Sequence, residues 1–537
     1  MLKLPAIRLS LNGFRSFQSG IGAYIFLWSA ANAAIFQWRL YQVAAASQLS
    51  LDTHAVLALV TLFTLQLVIS ITVLGCTALV SIRIMKVLCA VFTICNSLAL
   101  YFIVQYNTIL DSTMIGNVVN TNIREASDFI HPKIIIYLTV LGILPAMFFW
   151  RIRISPSPRL WRVAFVALSI ILGSVWLYGN ASSWLWIDKN AKRLGGLVLP
   201  WSYVFNTIRY FQHETDRNRT TKLLPALSID ANRGSIFVLV IGESARAQNF
   251  SLYGYPRPTN PLLKTQGVTA LPGAQSCATY TTASLRCMLS ANGAQGMNGN
   301  DETLPSYLAR HGIEVIWRTN NFGEPPLKVT SYETAETIRK TCAVNCSRLA
   351  YDEVLLQGLE DRLKHADPKT KTLVILHQSG SHGPQYYTKY PSEFEVFKPA
   401  CHSVELQNCT KDELVNAYDN TIVYTDYFLS KLIEMLKAVD GRESVMLYMS
   451  DHGESLGESG LYLHGVPISI APQNQFVVPL VVWMSDQFLR RGRGVNKSFR
   501  PKLSHDVVFH SVLGAMDLTS PSYLPEQDLF RQNSLTK

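Results

Sequence analysis

Hydrophobic positions follow two regimes along this chain. Up to about residue 180 they form long unbroken stretches, roughly 20–38, 55–80, 84–106, 133–150 and 162–180. Each approaches or exceeds the ~20 apolar residues a helix needs to cross a bilayer, so five membrane-spanning helices are predicted. From about 234 onward the apolar runs shorten and alternate with helical patterns. Ile236–Ile241, Leu373–Leu376 and Val445–Met449 are continuous apolar runs, as expected of strands covered on both faces. Further strands are predicted at 313–317 and 478–483, and helices at 302–311, 351–364, 411–437 and 504–516. Such alternation predicts an α/β domain with a largely parallel central sheet and helices on both faces. At 537 residues the chain exceeds one ordinary core. It divides into a multi-pass α-helical membrane domain at 1–180, a connector at 181–233 and a soluble α/β domain at 234–537.

Charge fixes the expected orientation. Lys3, Arg8, Arg15, Arg83, Lys86, Arg151, Arg153, Arg159 and Arg162 fall before span one or in the loops on the same side. The opposite loops hold only Arg39, Arg124 and Lys133. This bias places the N-terminus in the cytoplasm and the soluble domain outside. Ala31-Asn32-Ala33 has the small residues of a signal-peptide cleavage site, but the apolar stretch continues past it. Of the net charge of +10, eight units lie within residues 1–190. The soluble part therefore has no nucleic-acid footprint. Cys76, Cys89 and Cys95 lie in the spans, whereas Cys277/Cys287, Cys342/Cys346 and Cys401/Cys409 are close pairs in the outer domain and predict three disulfides. In the connector, Trp184, Trp186, Trp201, Tyr203 and Tyr210 mix with basic residues, which suits either a membrane interface or packing on the soluble domain. Asn218-Arg219-Thr220 there fits the N-glycosylation pattern, which carries no meaning in a bacterial periplasm.

Candidate chemistry lies where the short runs end. Ile236–Ile241 runs into Gly242-Glu243-Ser244, Leu373–Leu376 into His377 and then His382, and Val445–Met449 into Ser450-Asp451-His452-Gly453. Open α/β sheets place ligands beyond the carboxyl ends of their strands, so Glu, His and Asp-His at three strand ends predict one metal-dependent site. Such an oxygen-rich donor set could hold manganese or magnesium. Cys277–Cys287 encloses a hydroxyl-rich segment, and a helix is expected to start near Thr282. Thr281 there reads either as a helix N-cap or as a hydroxyl placed to carry a phosphoryl group among unpaired backbone N–H groups.

Longer motifs carry a family resemblance. Gly242-Glu243-Ser244-Ala245-Arg246 through Tyr253-Gly254-Tyr255-Pro256-Arg257-Pro258 resembles the signature of the lipid A phosphoethanolamine transferases, the group that includes the mobile colistin-resistance enzymes. Ser379-Gly380-Ser381-His382-Gly383-Pro384, Asn416–Asn420, Ser450–Glu458 and Tyr462-Leu463-His464-Gly465 are similar to the same group. The resemblance spans nearly the whole chain. It implies an alkaline phosphatase/sulfatase-like fold and an inner-membrane enzyme with a periplasmic catalytic domain. It implies Glu243, Thr281, Asp451 and His452 as zinc ligands, with Thr281 as nucleophile. His382 and His464 match positions that contact the transferred group or a second zinc, and Thr279 and Asn321 match substrate contacts. The implied donor is phosphatidylethanolamine and the implied acceptor lipid A, with polymyxin resistance as the consequence. The chain departs from some relatives, which carry a Lys shortly after the position of Asn321; here Lys328 comes later. Ser284-Leu285-Arg286-Cys287-Met288 resembles relatives that modify Kdo, so Kdo, heptose or another glycan is the alternative acceptor. A transporter, or a binding protein with a structural metal, is the non-enzyme alternative. The spans hold few ionisable groups for a translocation path, and a closed structural site would need no Thr.

Overall fold

The computed structural model describes residues 18–46, 53–121, 126–127, 129–217, 221–230, 233–341, 346–439, 441–496 and 502–531. The chain forms two compact units. The first comprises residues up to Val104 together with His131–Phe205, and the second comprises Gln105–Ile130 and Asn206–Lys537.

The first unit is helical: α1 (Ile21–Ile35), α2 (Thr53–Val80) and α3 (Ile82–Tyr106, its last two residues in the second unit); after α4 (Ser112–Asn120), which belongs to the second unit, come α5 (Pro132–Arg151) and α6 (Arg159–Gly179). Four of these, α2, α3, α5 and α6, are long and apolar enough to cross a membrane. The first expected span is instead a 15-residue helix, α1, followed by a shorter helix at Trp38–Ala46. Tyr24, Ile25 and Trp28 pack on Leu74, Met85, Cys89 and Phe149, while Leu160, Trp161, Leu172 and Tyr178 face outward, as lipid-facing residues do. Asn96, inside this unit, donates to Asn32 at 2.6 Å and accepts from Tyr203 at 3.0 Å. The connector is not an open linker. It contains helices at Ala181–Lys189 and Trp201–Arg217, and Trp201 and Tyr210 are buried.

The second unit is built on a seven-stranded sheet. Its strands are β1 (Ser235–Gly242), β2 (Thr269–Ala270), β3 (Glu314–Thr319), β4 (Ser331–Thr334), β5 (Lys371–His377), β6 (Glu443–Ser450) and β7 (Leu480–Met484). The order across the sheet is β2-β7-β6-β1-β5-β3-β4. The five strands from β6 to β4 are parallel; β7 runs antiparallel to both β6 and β2. Every residue of β1 and β5 is buried, which explains their unbroken apolar runs. Phe237, Leu239 and Ile241 share one core with Leu285, Met288, Val508 and Val512, which come from helices α7 (Thr281–Met288) and α9 (Asp506–Ala515). Between them in sequence, α8 (Lys411–Lys437) begins at a capping box in which Thr410 and Glu413 satisfy each other's backbone N–H groups. The expected helix at 351–364 is split, with a 3-10 turn at Asp352–Leu356 and a helix only at Leu359–His365; Gly358 between them has φ +64. The expected helix at 302–311 is Leu304–Arg310.

The second unit also includes a segment that the hydropathy pattern groups with the membrane loops. Here α4 (Ser112–Asn120) is capped by Asp111, whose side chain accepts from Met114 N. Gly116 of α4 lies against Tyr210 and Tyr280, and Gly465 lies against Asn117 and Met114.

Of the three expected disulfides, Cys277–Cys287 and Cys401–Cys409 are present. The third expected pair, Cys342/Cys346, lies partly outside the described residues. Cys346 opens a 3-10 turn at Cys346–Ala350, whereas Cys342, its expected partner, lies outside the described residues. The bond between Cys342 and Cys346 thus stays an expectation from their spacing alone, four residues apart on a very short loop. The Asn218–Thr220 segment also lies outside the described residues.

Leu239 lies at the centre of β1 with no exposure. Leu239→Ala is expected to destabilise the second unit by about 2–5 kcal/mol, measured as a shift in denaturant midpoint at unchanged slope. A loss below about 1 kcal/mol would contradict this placement of the core.

Candidate active site

Strand register brings the chemistry to one edge. Gly242 pairs with Ser450, and Ile241 pairs with His377, so the residues after β1, β5 and β6 emerge side by side. The turn after β1 is tight: Ser244 has φ +55, unusual for a residue with a side chain, and its backbone N–H donates to Asp451 Oδ1 at 3.2 Å. Gly380 sits directly on this turn. A Cβ there would lie 2.7 Å from Glu243 O, so only glycine lets the loop after β5 close over the site.

Glu243 is fully buried and both its oxygens are engaged. Oε1 accepts from Ser244 Oγ at 2.7 Å; Oε2 accepts from Thr281 Oγ1 at 3.1 Å and Asn321 Nδ2 at 2.8 Å. His452 is also fully buried. Its Nδ1 lies 2.9 Å from Gly453 O, and a carbonyl can only accept, so Nδ1 carries the proton. In the neutral ring the Nε2 lone pair then faces Glu243 Oε1 at 3.3 Å, Asp451 Oδ2 at 3.3 Å and Thr281 Oγ1 at 3.4 Å. Asp451 Oδ2 is buried without a hydrogen-bond donor among the described residues. Burial and the charge of Glu243 push the Asp451 carboxyl well up. Burial also opposes charge on Glu243, but His452, His382 and His464 together hold its carboxyl well below the usual range. Two buried carboxyl groups and an imidazole lone pair converging on one hydroxyl form a donor set that a divalent cation would complete. Glu243, Asp451 and His452 each offer a ligand atom, all within 4.8 Å of one another.

Thr281 is the first residue of α7 and Tyr280 is its N-cap, with no side-chain cap bond. The Thr281 hydroxyl therefore does not cap its own helix; it points to Glu243 and His452. The Cys277–Cys287 bond brackets this segment, and His505 lies behind it, with Nε2 3.0 Å from Ser450 O. Burial lowers His505 to about 4, which keeps it neutral beside the site.

A second group of donors adjoins the first. His464 stacks on His452 with ring centroids 4.2 Å apart, and its Nε2 lies 3.4 Å from His382 Nε2. Its Nδ1 lies 3.2 Å from Thr279 O, so that nitrogen carries the proton and Nε2 faces His382. Burial, then the neighbouring His452 and His382, hold His464 well below its usual pKa. Glu243, His382 and His464 form a further candidate ligand group.

The structure places the His377 ring and the Thr279 hydroxyl on other partners. His377 does not join the ligand group; its Nδ1 pairs with Glu324 Oε1 at 3.0 Å. His382, five residues on, takes that place. The Thr279 hydroxyl donates to Val466 O at 2.6 Å and is buried, so it holds the loop after His464. The His377–Glu324 pair anchors the loop that carries Asn321. Sequence reading also passed over Ser244, Arg246 and Glu454. Arg246 pairs with Glu458 at 2.8 Å, and burial raises the Glu454 carboxyl to about 8. The run Asp451–Glu458 held that signal, because two further carboxylates in an apolar setting need a cation or a proton.

Comparison with known proteins agrees with this architecture. Residues 235–518 match the family model described as Sulfatase, and residues 67–215 match that described as Phosphoethanolamine transferase EptA/EptB. The chain is 42% identical over 465 residues to phosphoethanolamine transferase EptA of Helicobacter pylori, covering 84% of this chain and 86% of that one. It is 30% identical over 463 residues to phosphatidylethanolamine transferase Mcr-1 of Escherichia coli, covering 81% and 84%. The integral membrane lipooligosaccharide phosphoethanolamine transferase A of Neisseria meningitidis is similar in structure, with a TM-score of 0.88 and 28% identity, covering 96% of this chain and 99% of that one. Two family models, close curated relatives and a shared full-length fold show that this chain belongs to the phosphoethanolamine transferases, its second unit having the sulfatase-type α/β fold.

Proposed function

We propose that this enzyme moves phosphoethanolamine from phosphatidylethanolamine to a phosphate of lipid A in two half-reactions, with Thr281 carrying the group between them. The observation that supports this most is the Thr281 hydroxyl, held at a helix start within 3.1 Å of Glu243 and 3.4 Å of His452. In the first half-reaction Thr281 Oγ1 bonds to phosphorus, the bond to the diacylglycerol oxygen breaks, and the threonine proton is passed to that oxygen. In the second, an acceptor phosphate oxygen attacks the same phosphorus and Thr281 regains its hydroxyl. A divalent cation, zinc by family resemblance, held by Glu243, Thr281, Asp451 and His452 would acidify the threonine hydroxyl and draw charge from the phosphoryl oxygens. Asn321 and Ser244 hold the Glu243 oxygens in place. His382 and His464, with their facing Nε2 atoms, are placed to hold or move the proton of the leaving alcohol.

The charge bias of the loops supports an inner-membrane enzyme with its N-terminus in the cytoplasm and its catalytic unit in the periplasm. Both substrates are lipids, which is why membrane helices belong to the enzyme. An amine added to an anionic phosphate weakens attraction of cationic peptides, so polymyxin resistance is the expected cellular result.

Incubation with phosphatidylethanolamine in the absence of acceptor should leave one phosphoethanolamine on wild type, located on Thr281 by peptide mass spectrometry. Thr281→Ala should form no adduct and leave cellular lipid A unmodified; normal modification by that variant would refute the mechanism, and modification confined to Kdo or heptose would refute the acceptor.

Asn321→Ala removes one of the two donors to Glu243 Oε2. Loss of a charge-assisted hydrogen bond of roughly 1.5–3 kcal/mol should lower kcat/KM by about ten- to a hundredfold, mainly in kcat. An unchanged kcat would show that Asn321 does not hold Glu243 in the reacting state.

A further inference from the structure

We propose that Asp352 is a positioning residue for the transfer: its buried carboxylate clamps together the two loops that carry Asn321 and His382, and so fixes where both stand against Glu243. This deepens the two-step transfer proposed above and rests on it. Asp352 opens the 3-10 turn Asp352–Leu356 and is only 4% exposed. Its Oδ1 accepts from Asn320 Nδ2 at 2.8 Å and from Ser379 N at 2.9 Å, and its Oδ2 accepts from Gly380 N at 3.0 Å.

The three donors belong to elements that build the reaction site. Asn320 immediately precedes Asn321 on the loop after β3, and Ser379 and Gly380 precede His382 on the loop after β5. Both loops bear on Glu243. Asn321 Nδ2 donates to its Oε2 at 2.8 Å, Ser381 N donates to its carbonyl at 2.9 Å, and a Cβ on Gly380 would lie 3.1 Å from its Cβ. The ladder between β3 and β5 ends close by, where Asn320 N donates to His377 O at 2.9 Å. Beyond that point Asp352 joins the two loops. The turn that carries it is backed by α8: Glu353 N donates to Tyr424 Oη at 3.2 Å, and Glu353 Oε1 accepts from Lys431 Nζ at 2.8 Å. The clamp therefore ties the two loops to a 27-residue helix as well as to each other.

Hydrogen-bond chemistry fixes what this side chain must be. Arg339 Nη2 donates to Asn320 Oδ1 at 3.1 Å, and a guanidinium can only donate, so the Asn320 amide turns its Nδ2 to Asp352. The other two partners are backbone N–H groups. All three neighbours of the carboxylate are therefore donors, and only an acceptor-only side chain satisfies them together. An amide of the same shape offers one oxygen and one NH2. With its NH2 at the Oδ2 position it opposes Gly380 N–H; at the Oδ1 position it opposes both Asn320 and Ser379. Either way a buried donor is left unpaired and a loop is pushed outward. That displacement moves Asn321, His382 or both relative to Glu243.

The test follows adduct formation on Thr281 in the full-length enzyme with phosphatidylethanolamine and excess zinc. Asp352→Asn should lower the maximal rate about ten- to a hundredfold, as displacement of reacting groups by about an ångström does, with the half-saturating donor concentration within about twofold of wild type. Asn320→Ala leaves the carboxylate and its backbone partners in place and should lower the rate about three- to tenfold by the same route. Double-mutant cycles separate positioning from general stability. The losses from Asp352→Asn with His382→Ala, and from Asn320→Ala with Asn321→Ala, should be non-additive by at least about threefold. If circular dichroism shows that Asp352→Asn does not fold, the Asn320 cycle decides. Wild-type rates in both variants, or additive losses in either cycle, would overturn the positioning role while leaving the two-step transfer intact. Absence of any adduct on wild-type Thr281 would overturn the transfer itself.

Discussion

The site depends on one electrostatic constraint: Glu243 and Asp451 are both fully buried at the carboxyl edge of the sheet, with the His452 imidazole between them. An isolated carboxylate is costly to bury, and two together cannot both be charged without a compensating cation. The fold builds in this conflict. Parallel strands β1 and β6 are neighbours, and their register brings Gly242 opposite Ser450, so the next residues of each must meet. The positive φ of Ser244 and the Cβ-free surface of Gly380 allow the two loops to close over the carboxylates. A hydroxyl brought into that pocket faces a strong demand for positive charge. Thr281 is that hydroxyl, delivered by a helix whose other end is packed in the sheet's core through Leu285 and Met288.

The second pair of imidazoles extends the same logic. His464 is stacked on His452 and faces His382, so three rings line one side of Glu243. Positive charge on His452 or His382 draws the Glu243 carboxyl down, while burial keeps His464 neutral. The site can therefore accept negative charge on a phosphoryl group and still offer a nitrogen base next to it.

Much of this was legible in the sequence, for physical reasons. Strands covered on both faces must be apolar throughout, so β1, β5 and β6 stood out, and the polar residues that end such runs are forced to the edge. Glu243, Asp451 and His452 were legible for that reason. His377 satisfies the same pattern, but its ring is engaged by Glu324, a long-range partner that the run does not reveal. Close cysteine spacing located Cys277–Cys287 and Cys401–Cys409. Sheet order and the antiparallel sense of β7 depend on long-range pairing that no local pattern encodes. The 105–130 segment reads as a loop between spans, yet α4 belongs to the second unit and touches Tyr280 and Gly465. Its amphipathic nine residues carry too little periodicity to reveal a partner. Ser244, whose hydroxyl bonds Glu243, gave no signal beyond its neighbour, since a strained turn is visible only in dihedral angles.

The account's central claim is that the buried carboxylates converge on a bound divalent cation that also touches the nucleophile. Anomalous diffraction from crystals of the enzyme prepared with zinc tests it most directly. The account predicts a peak at about 2.0–2.2 Å from oxygens of Glu243, Thr281 and Asp451 and about 2.0–2.1 Å from His452 Nε2. A metal found only on other residues, or a Thr281 hydroxyl left outside the coordination sphere of a fully occupied site, would contradict it.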